Sequence, residues 1–138
     1  MIVLDTNIVS ELMKAAPNPK LLAWIDAQES WQLYTSAITV AEISYGISIL
    51  PDGKRRNELE KAWDKSLQEG FSGMVLSFTQ EAAEIYADLM AHRKKIGRPA
   101  SMADGQIAAI AKLNKAVLVT QNTKDFSDFE IELVNPCV

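Results

Sequence analysis

The chain has little of the chemistry that cross-links proteins or binds soft metals, with one cysteine, Cys137, and one histidine, His92, in 138 residues. A lone cysteine cannot form an intrachain disulfide, and so few soft ligands argue against a structural zinc site. No apolar stretch approaches the ~20 residues of a membrane span, and the N-terminal apolar run is too short for a signal peptide and lacks its basic lead. These absences predict a cytoplasmic protein that makes no contact with a membrane.

Positive charge is also scarce. The 14 Lys and Arg residues against 18 Asp and Glu residues give a net charge of −4, which by itself argues against tight sequence-independent binding to nucleic acid. The basic residues cluster at positions 54–56 and at positions 93–95 with Arg98. We interpret each cluster as a solvated helix face, with contact to a phosphate backbone as the alternative.

The sequence has no repeat, low-complexity tract or linker, and its length predicts one domain, residues 1–138. Short apolar runs alternate with helical patterns, which favours βαβ units, an α/β class and a parallel sheet with helices on both faces. The predicted strands are residues 1–4, 33–37, 74–78, 116–119 and 131–134. The predicted helices are residues 7–14, 18–28 with Asn18 as N-cap, a helix opening at Thr39, 54–69, a helix opening at Thr79, and 101–113.

Three acids stand at strand ends or in the first turns of helices. Asp5 ends the first apolar run, Glu42 begins the helix after the second strand, and Asp104 begins the helix before the fourth strand. Because ligands of open parallel sheets bind beyond the carboxyl ends of the strands, we expect these acids to meet at one edge. Such a pocket suits Mg²⁺ or Mn²⁺, which can polarise a phosphoryl oxygen and supply a bound water as nucleophile. The pattern therefore predicts a metal-dependent, phosphodiester-cleaving enzyme.

Each acid also has a purely structural interpretation. The residues from Thr39 to Glu42 match a capping box, residues 101–104 match its aspartate version, and Asp5 could cap the helix that begins near residue 7. Polar residues near the predicted strand ends either orient the ligating carboxylates or serve ordinary turns. They are Thr6, Asn7, Ser36 and Thr120, followed after the fourth strand by Asn122 and Asp125.

Four segments resemble, in order, the motifs of PIN-domain ribonucleases. They are residues 1–10 (MIVLDTNIVS), 36–43 (SAITVAEI), 103–109 (ADGQIAA) and 119–126 (VTQNTKDF). Within that family the chain is most similar to the VapC toxins of bacterial toxin–antitoxin pairs, in particular their FitB-type branch. The resemblance implies a three-layer α/β/α fold with a central, mostly parallel sheet of four to five strands.

The resemblance also implies a function. It implies a Mg²⁺- or Mn²⁺-dependent endoribonuclease with Asp5, Glu42 and Asp104 as its acidic, metal-binding site, and transfer RNA is the substrate that the family favours. It further implies a homodimer and a cognate antitoxin whose tail covers and inhibits the site. The two proteins would form a larger complex that binds promoter DNA through the antitoxin.

One position departs from the family pattern, because many members have an aspartate where Asn122 stands. We favour one tightly held metal ion with Asn122 in support. The alternatives are that Asp125 takes part, or that a second metal is weak or absent.

Two other functions compete with a ribonuclease. In the first, the chain is a binding module whose acids form a socket for an arginine of a DNA-binding partner. In the second, it is a phosphatase with Asp5 as covalent nucleophile. The phosphatase is disfavoured because Asn7 stands where a second acid would donate a proton.

Overall fold

Residues 1–138 are described by a computed structural model built on a five-stranded sheet. The strands are β1 (Ile2–Leu4), β2 (Leu33–Ser36), β3 (Val75–Leu76), β4 (Val117–Val119) and β5 (Leu133–Val134). All neighbouring strands run parallel, in the order β3-β2-β1-β4-β5. The predicted parallel sheet is confirmed. The strand order reverses at β1, which is where a ligand site is expected in a sheet of this kind.

Seven helices surround the sheet. They are α1 (Thr6–Leu12), α2 (Pro19–Asp26), α3 (Ala37–Ser48), α4 (Lys54–Lys65), α5 (Gln80–Lys95), α6 (Met102–Leu113) and α7 (Thr123–Phe126). A π-helical turn, Ser66–Gly70, continues α4, and 3₁₀ turns occupy Ser30–Gln32 and Ser127–Phe129. Each helix is too short or too polar to span a lipid bilayer. The sequence patterns did not predict α7 or the two 3₁₀ turns.

The two edge strands are shorter than predicted. Residues 74–78 and 131–134 were expected to be extended, but β3 and β5 contain two residues each. Each of these strands pairs on one side only, so fewer backbone hydrogen bonds hold its ends in the sheet.

The core lies in two layers, one on each face of the sheet. Ile2 and Leu4 face a cluster that α1–α4 complete, whereas Val3 faces a cluster that α5–α7 complete. This alternation follows from the two-residue period of a strand. The predicted three-layer α/β/α architecture is therefore confirmed.

Three predicted helix starts are confirmed, and each has a side-chain cap. Asn18 Oδ1 accepts the backbone N–H of Lys20 at 2.8 Å, with Pro19 at the first helical position of α2. Thr79 caps α5, and Ser101 caps α6. In each case a side-chain oxygen binds an amide that the first turn leaves unpaired.

The predicted cap of α3 is wrong. Thr39 does not open this helix, because α3 begins at Ala37 and Ser36 is its N-cap. Ser36 Oγ accepts the N–H of Thr39 at 3.1 Å, which places Thr39 in the first turn. The strand before it accordingly ends one residue earlier than predicted.

Helices α5 and α6 pack closely where α6 carries Gly105. A Cβ atom at Gly105 would lie 2.5 Å from Met90 Sδ and 2.9 Å from the Tyr86 ring. Real Cβ atoms do not approach neighbours this closely, so any larger residue would require the Met90 and Tyr86 side chains to move. Gly105 follows Asp104 directly, and this close contact therefore fixes the start of α6 against α5.

Candidate active site

Asp5 is a buried carboxylate at the carboxyl end of β1. It is only 3% exposed, and it caps α1 by accepting the Thr6 N–H through Oδ1 at 2.8 Å. Its other oxygen, Oδ2, accepts the hydroxyl of Thr120 at 2.8 Å and the side-chain amide of Asn7 at 2.8 Å. The carboxylate is therefore held by three donors, one of which comes from the end of β4.

The pKa of Asp5 is raised from 3.8 to about 6, mainly because burial removes the carboxylate from water. Hydrogen bonds from Thr120 and Thr6 act against this shift, and the charges of Asp104 and Glu42 add to it. The folded protein thus holds a carboxylate that resists ionisation beside two further acids. A bound cation would relieve both the desolvation and the repulsion.

The loop after β4 is tied to the first turn of α1 by side-chain hydrogen bonds. Asn7 Oδ1 accepts the backbone N–H of Gln121 at 3.0 Å, and Thr120 Oγ1 accepts that of Asn122 at 3.0 Å. Thr120 is fully buried. These bonds fix the edge of the sheet around Asp5, as the proposed orienting role of Thr120 and Asn7 requires. The contribution of Gln121 is through its backbone, so its side-chain type gave no signal in the sequence.

Glu42 is held across the pocket by Thr6 rather than by its own helix. The Thr6 hydroxyl donates to Glu42 Oε1 at 2.7 Å, so in its 3.0 Å contact with Thr39 Oγ1 the Thr39 hydroxyl must be the donor. The buried Ser36 hydroxyl in turn donates to Thr39 at 3.4 Å. Because Thr39 is not the N-cap of α3, the predicted capping box that includes Glu42 is wrong. An exposed carboxylate held in this way remains free to bind a ligand.

Asp104 lies in the first turn of α6, where the predicted cap is present. Its backbone N–H donates to Ser101 Oγ at 3.2 Å. The pKa of Asp104 is raised, first because the side chain is half-buried and then because Asp125 and Glu42 are negatively charged. The Ser101 side chain and Arg93 lower it. The charges of Asp104 and Glu42 raise the pKa of Asp5, and the charge of Glu42 raises the pKa of Asp104. We call Asp5, Glu42 and Asp104 the acidic pocket.

Asn122 and Asp125 lie at the same edge but differ in their contacts. Asn122 is the N-cap residue of α7, yet its side chain makes no capping hydrogen bond. Asp125 acts electrostatically on Asp104. Of these two residues, Asp125 therefore supplies a negative charge that acts on Asp104, whereas Asn122 offers a neutral, exposed side chain.

The PIN domain family matches residues 2–132. The chain is 44% identical to VapC ribonuclease Y4jK of Sinorhizobium fredii, over 99% of this chain and 97% of that protein. It is 38% identical to toxin FitB of Neisseria gonorrhoeae, over 99% and 98% of the two chains.

This chain belongs to the PIN domain family. The fold agrees with the sequence match. The solved structure of FitAB bound to an IR36 DNA fragment superimposes on this PIN domain with a TM-score of 0.92. That comparison covers 100% of this chain and 96% of the other, with 37% sequence identity. The family resemblance noted in the sequence is therefore confirmed.

The donor set of the pocket in this PIN domain fits a hard divalent cation. Its carboxylate, amide and hydroxyl oxygens are the ligands that Mg²⁺ and Mn²⁺ prefer. The soft candidates lie elsewhere, since His92 lines a different pocket with Lys112 and Glu130, and the Cys137 carbonyl bonds to Asn18. No three acidic, histidine or cysteine side chains enclose a ready-made metal position. A cation here would therefore keep several waters, as Mg²⁺ commonly does.

An apolar groove of about 510 Å³ opens beside the acidic pocket of this PIN domain. Helices α1, α3 and α4 form it, and Glu42 and Thr6 lie on its wall next to the acids. Lys14 and Arg55 add positive charge to the lining. The apolar lining residues include Met13, Ile43, Ile47, Leu50 and Leu59.

We expect Asp5→Asn to make the metal-free PIN domain more stable above pH 6. The pKa of Asp5 is higher in the folded protein than in the unfolded chain, so the protonated side chain stabilises the fold. This stabilisation is complete below about pH 4 and is lost as the pH rises through 6. The loss is ~3 kcal/mol at most. The new amide faces the Asn7 donor, which should offset the gain by about 1 kcal/mol.

Urea unfolding of both proteins in a chelator, at pH 4.5 and pH 7.5, measures this difference. The wild type should lose stability relative to Asp5→Asn between the two pH values. If the free energies of unfolding of the two proteins changed equally with pH, Asp5 would not be a buried carboxylate with a raised pKa.

Proposed function

We propose that this PIN domain, comprising residues 1–138, is the toxin of a type II toxin–antitoxin pair and a metal-dependent endoribonuclease. The observation that carries the proposal is the buried carboxylate of Asp5, whose pKa is raised further by the negative charges of Glu42 and Asp104. It lies where the strand order of the parallel sheet reverses. The relatives named as a VapC ribonuclease and a toxin support it. A cytoplasmic location fits this role.

Each acid has a proposed role. Asp5, Glu42 and Asp104 would hold one Mg²⁺ or Mn²⁺ ion, which when bound supplies Lewis-acid polarisation of a phosphodiester and an activated water. Thr120, Asn7 and the Thr6 amide keep Asp5 in one orientation. The Thr6 hydroxyl keeps Glu42 directed across the pocket. Asn122 would support the site, with Asp125 as the additional acid close to Asp104.

The substrate is proposed to be RNA, with transfer RNA as the first candidate. A structured RNA would reach the acids from solvent, because Glu42 is exposed and Asp104 half-exposed. The acidic chain is not expected to bind DNA tightly by itself. Contact with promoter DNA would come through an antitoxin, in line with the DNA-bound FitAB structure.

A homodimer is proposed, and exposed apolar side chains support it. Tyr45 and Ile49 lie one turn apart on the outer side of α3 and are 62% and 65% exposed. Met102, at the start of α6, is 65% exposed. Large apolar side chains left in water are typical of surfaces that another chain covers.

The groove beside the acids is the proposed docking place of a cognate antitoxin segment. Its apolar lining suits the apolar side of an amphipathic helix, and Lys14 and Arg55 would favour acidic residues along that helix. A basic residue at the end of the segment would meet Glu42 and the acids behind it. The proposed partner would therefore block the site and neutralise its charge together.

The test of this function is RNA cleavage by the purified chain with Mn²⁺ or Mg²⁺, with and without the antitoxin encoded beside it. We expect structured RNAs to be cut and the antitoxin to suppress the cut. A chain that binds its partner tightly yet leaves varied RNAs intact would favour the alternative function, a non-catalytic subunit of a DNA-binding regulatory complex. The groove is the observation that keeps this alternative open.

Gly46→Trp is expected to weaken antitoxin binding at least 10-fold, because the indole would fill the groove. The position of a Cβ at Gly46 has no other atom within 4 Å, so a side chain can leave the helix here without a clash at its first atom. Gly46→Ala is the matched control, since it adds only a methyl group and should favour the helix by roughly 0.5–1 kcal/mol. Calorimetric titration with the antitoxin measures both affinities. Equal affinities for the tryptophan variant and the wild type would move the docking place out of the groove.

The phosphatase alternative fits the site poorly. Both oxygens of Asp5 accept hydrogen bonds, from Thr6 at one oxygen and from Asn7 and Thr120 at the other. Asn7 donates to Asp5 through its amide and cannot act as a carboxylic proton donor.

A further inference from the structure

Arg93 is a buried cation at the end of α5. The basic cluster at positions 93–95 was interpreted as a solvated helix face, and for Arg93 that interpretation is wrong, because this residue is only 4% exposed. Its neighbours Lys94 and Lys95 are exposed, as expected. Burying a guanidinium carries a large desolvation penalty, so a buried arginine needs specific partners.

The partners of Arg93 are backbone carbonyls and an aromatic ring. Its Nε donates to the carbonyl oxygen of Arg98 at 2.6 Å, and its Nη1 donates to that of Asp125 at 3.1 Å. The guanidinium carbon lies 4.5 Å from the centre of the buried Phe129 ring, a cation–π distance. No carboxylate lies within ion-pair distance of Arg93 (the six ion pairs of the chain involve other residues).

The two carbonyls belong to the two segments that carry Asp104 and Asp125. The Arg98 carbonyl lies in the loop that leads to Ser101 and Asp104 at the start of α6. The Asp125 carbonyl lies in α7, which follows β4. One planar side chain therefore joins two segments that are distant in the sequence, since Asp125 lies 32 positions after Arg93.

Arg98 adds an outer link between the same two segments. Its Nη2 donates to the Lys124 carbonyl at 3.4 Å, and its Nη1 forms an ion pair with Asp128 at 2.6 Å. Its side chain is half-exposed, so water and salt weaken this link more than the buried one. Arg93 is therefore the main connection.

Arg93 also acts on the pocket through its charge. It lowers the pKa of Asp104, whereas Asp125 and Glu42 raise it. An arginine stays protonated at any pH at which the protein is folded. The inner side of the acidic pocket thus has a fixed positive charge.

We propose that Arg93 is a positioning residue that sets the distance between Asp104 and Asp125 by clamping the start of α6 to α7. The inference rests on the proposed metal-dependent function. It gives Arg93, which is not one of the acids, an influence on cation binding. The rigid fork of the guanidinium is essential, because its two N–H groups point to two different carbonyls. A lysine keeps the charge but not this two-point geometry.

The test compares Arg93→Lys and Arg93→Met with two controls. Arg56→Lys is the control, because the Arg56 guanidinium also joins separate groups, namely Glu60, Asp52 and the Leu50 carbonyl, but on α4. Arg98→Ala removes only the outer link. The Kd for Mn²⁺ is measured by titration, with electron paramagnetic resonance reporting the free ion. Each titration is done well below the melting temperature of the protein. Hydrogen exchange in a chelator reports on the two segments without metal.

We expect Arg93→Lys and Arg93→Met to raise the Kd for Mn²⁺ by about 10-fold or more, as the loss of an orienting group does. Exchange should accelerate in residues 98–105 and 122–127. Arg98→Ala should have a smaller effect, and Arg56→Lys should change neither quantity. If Arg93→Met does not fold, the lysine variant decides the matter.

Two results would overturn the inference. One is wild-type Mn²⁺ affinity in Arg93→Lys, which would mean that the charge alone suffices or that the residue only stabilises the fold. The other is unchanged exchange in both segments. Accelerated exchange in Arg93→Lys together with no Mn²⁺ binding by the wild type would instead support the clamp and count against the proposed metal-dependent function.

Discussion

Asp104→Asn is expected to reduce RNA cleavage by about 100-fold or more, because it removes an anionic ligand of the proposed cation, and even the loss of a residue that only orients a metal ligand costs up to about 100-fold. Asparagine has nearly the same shape, and the backbone bond from residue 104 to Ser101 does not need the charge. The fold should therefore survive. Because the pKa of Asp104 is already raised in the folded protein, neutralising it removes repulsion rather than a stabilising ion pair.

Cleavage of labelled RNA and growth of cells that express the variant measure the effect. Asp64→Asn is the control, since Asp64 is an exposed acid on α4, outside the acidic pocket. It should cleave RNA and arrest growth as the wild type does. Full growth arrest by a correctly folded Asp104→Asn protein, with its circular dichroism spectrum intact, would remove Asp104 from the proposed site.

Removal of divalent cations is the second change with a large expected effect. Cleavage should stop in a chelator and return when Mg²⁺ or Mn²⁺ is added, because the oxygen donors of the pocket suit these ions. The fold should persist without metal, since the buried Asp5 carboxylate already has three hydrogen-bond donors. Binding should also stabilise the folded chain, by ~2.7 kcal/mol when the metal concentration is 100 times the Kd.

A thermal melt with increasing Mn²⁺ separates binding from turnover. The melting temperature of the wild type should rise with Mn²⁺, and that of Asp104→Asn should rise less. Zn²⁺ should be a poor substitute, because the pocket has no histidine or cysteine. A metal-stripped chain that cleaves RNA at the full rate would rule out a metal-dependent mechanism.

Much of the fold could be predicted because its signals are local. The alternation of apolar runs with helical patterns indicated a parallel sheet, and the sheet has that form. Asn18, Thr79 and Ser101 were identified as helix starts from one or two neighbouring residues, and each accepts an amide of the first turn. Local patterns failed to predict the start of a helix where two nearby residues were equally suitable as its first residue. Ser36 and Thr39 both could begin α3, and the choice depends on where β2 stops pairing with β1 and β3.

The acids of the candidate site were predicted for the same local reason, since strand ends and first turns can be recognised from short windows. Their partners could not be found in that way. Nothing near Glu42 indicates that Thr6, 36 residues earlier, donates to it. Likewise, a run of three basic residues gives no sign that the first of them, Arg93, lies over the Phe129 ring and donates to the Asp125 carbonyl.

The sequence by itself determined which acids stand at the strand ends and helix starts, their order, and the hard-oxygen character of the donors. Only the tertiary structure decided the raised pKa of Asp5, the hydrogen bond between Thr6 and Glu42, and the burial of Arg93. The physical reason is that these properties depend on pairs far apart in the chain, such as Asp5 and Thr120, which are separated by 115 residues. Sheet pairing of β1 with β4 brings such residues together and removes them from water.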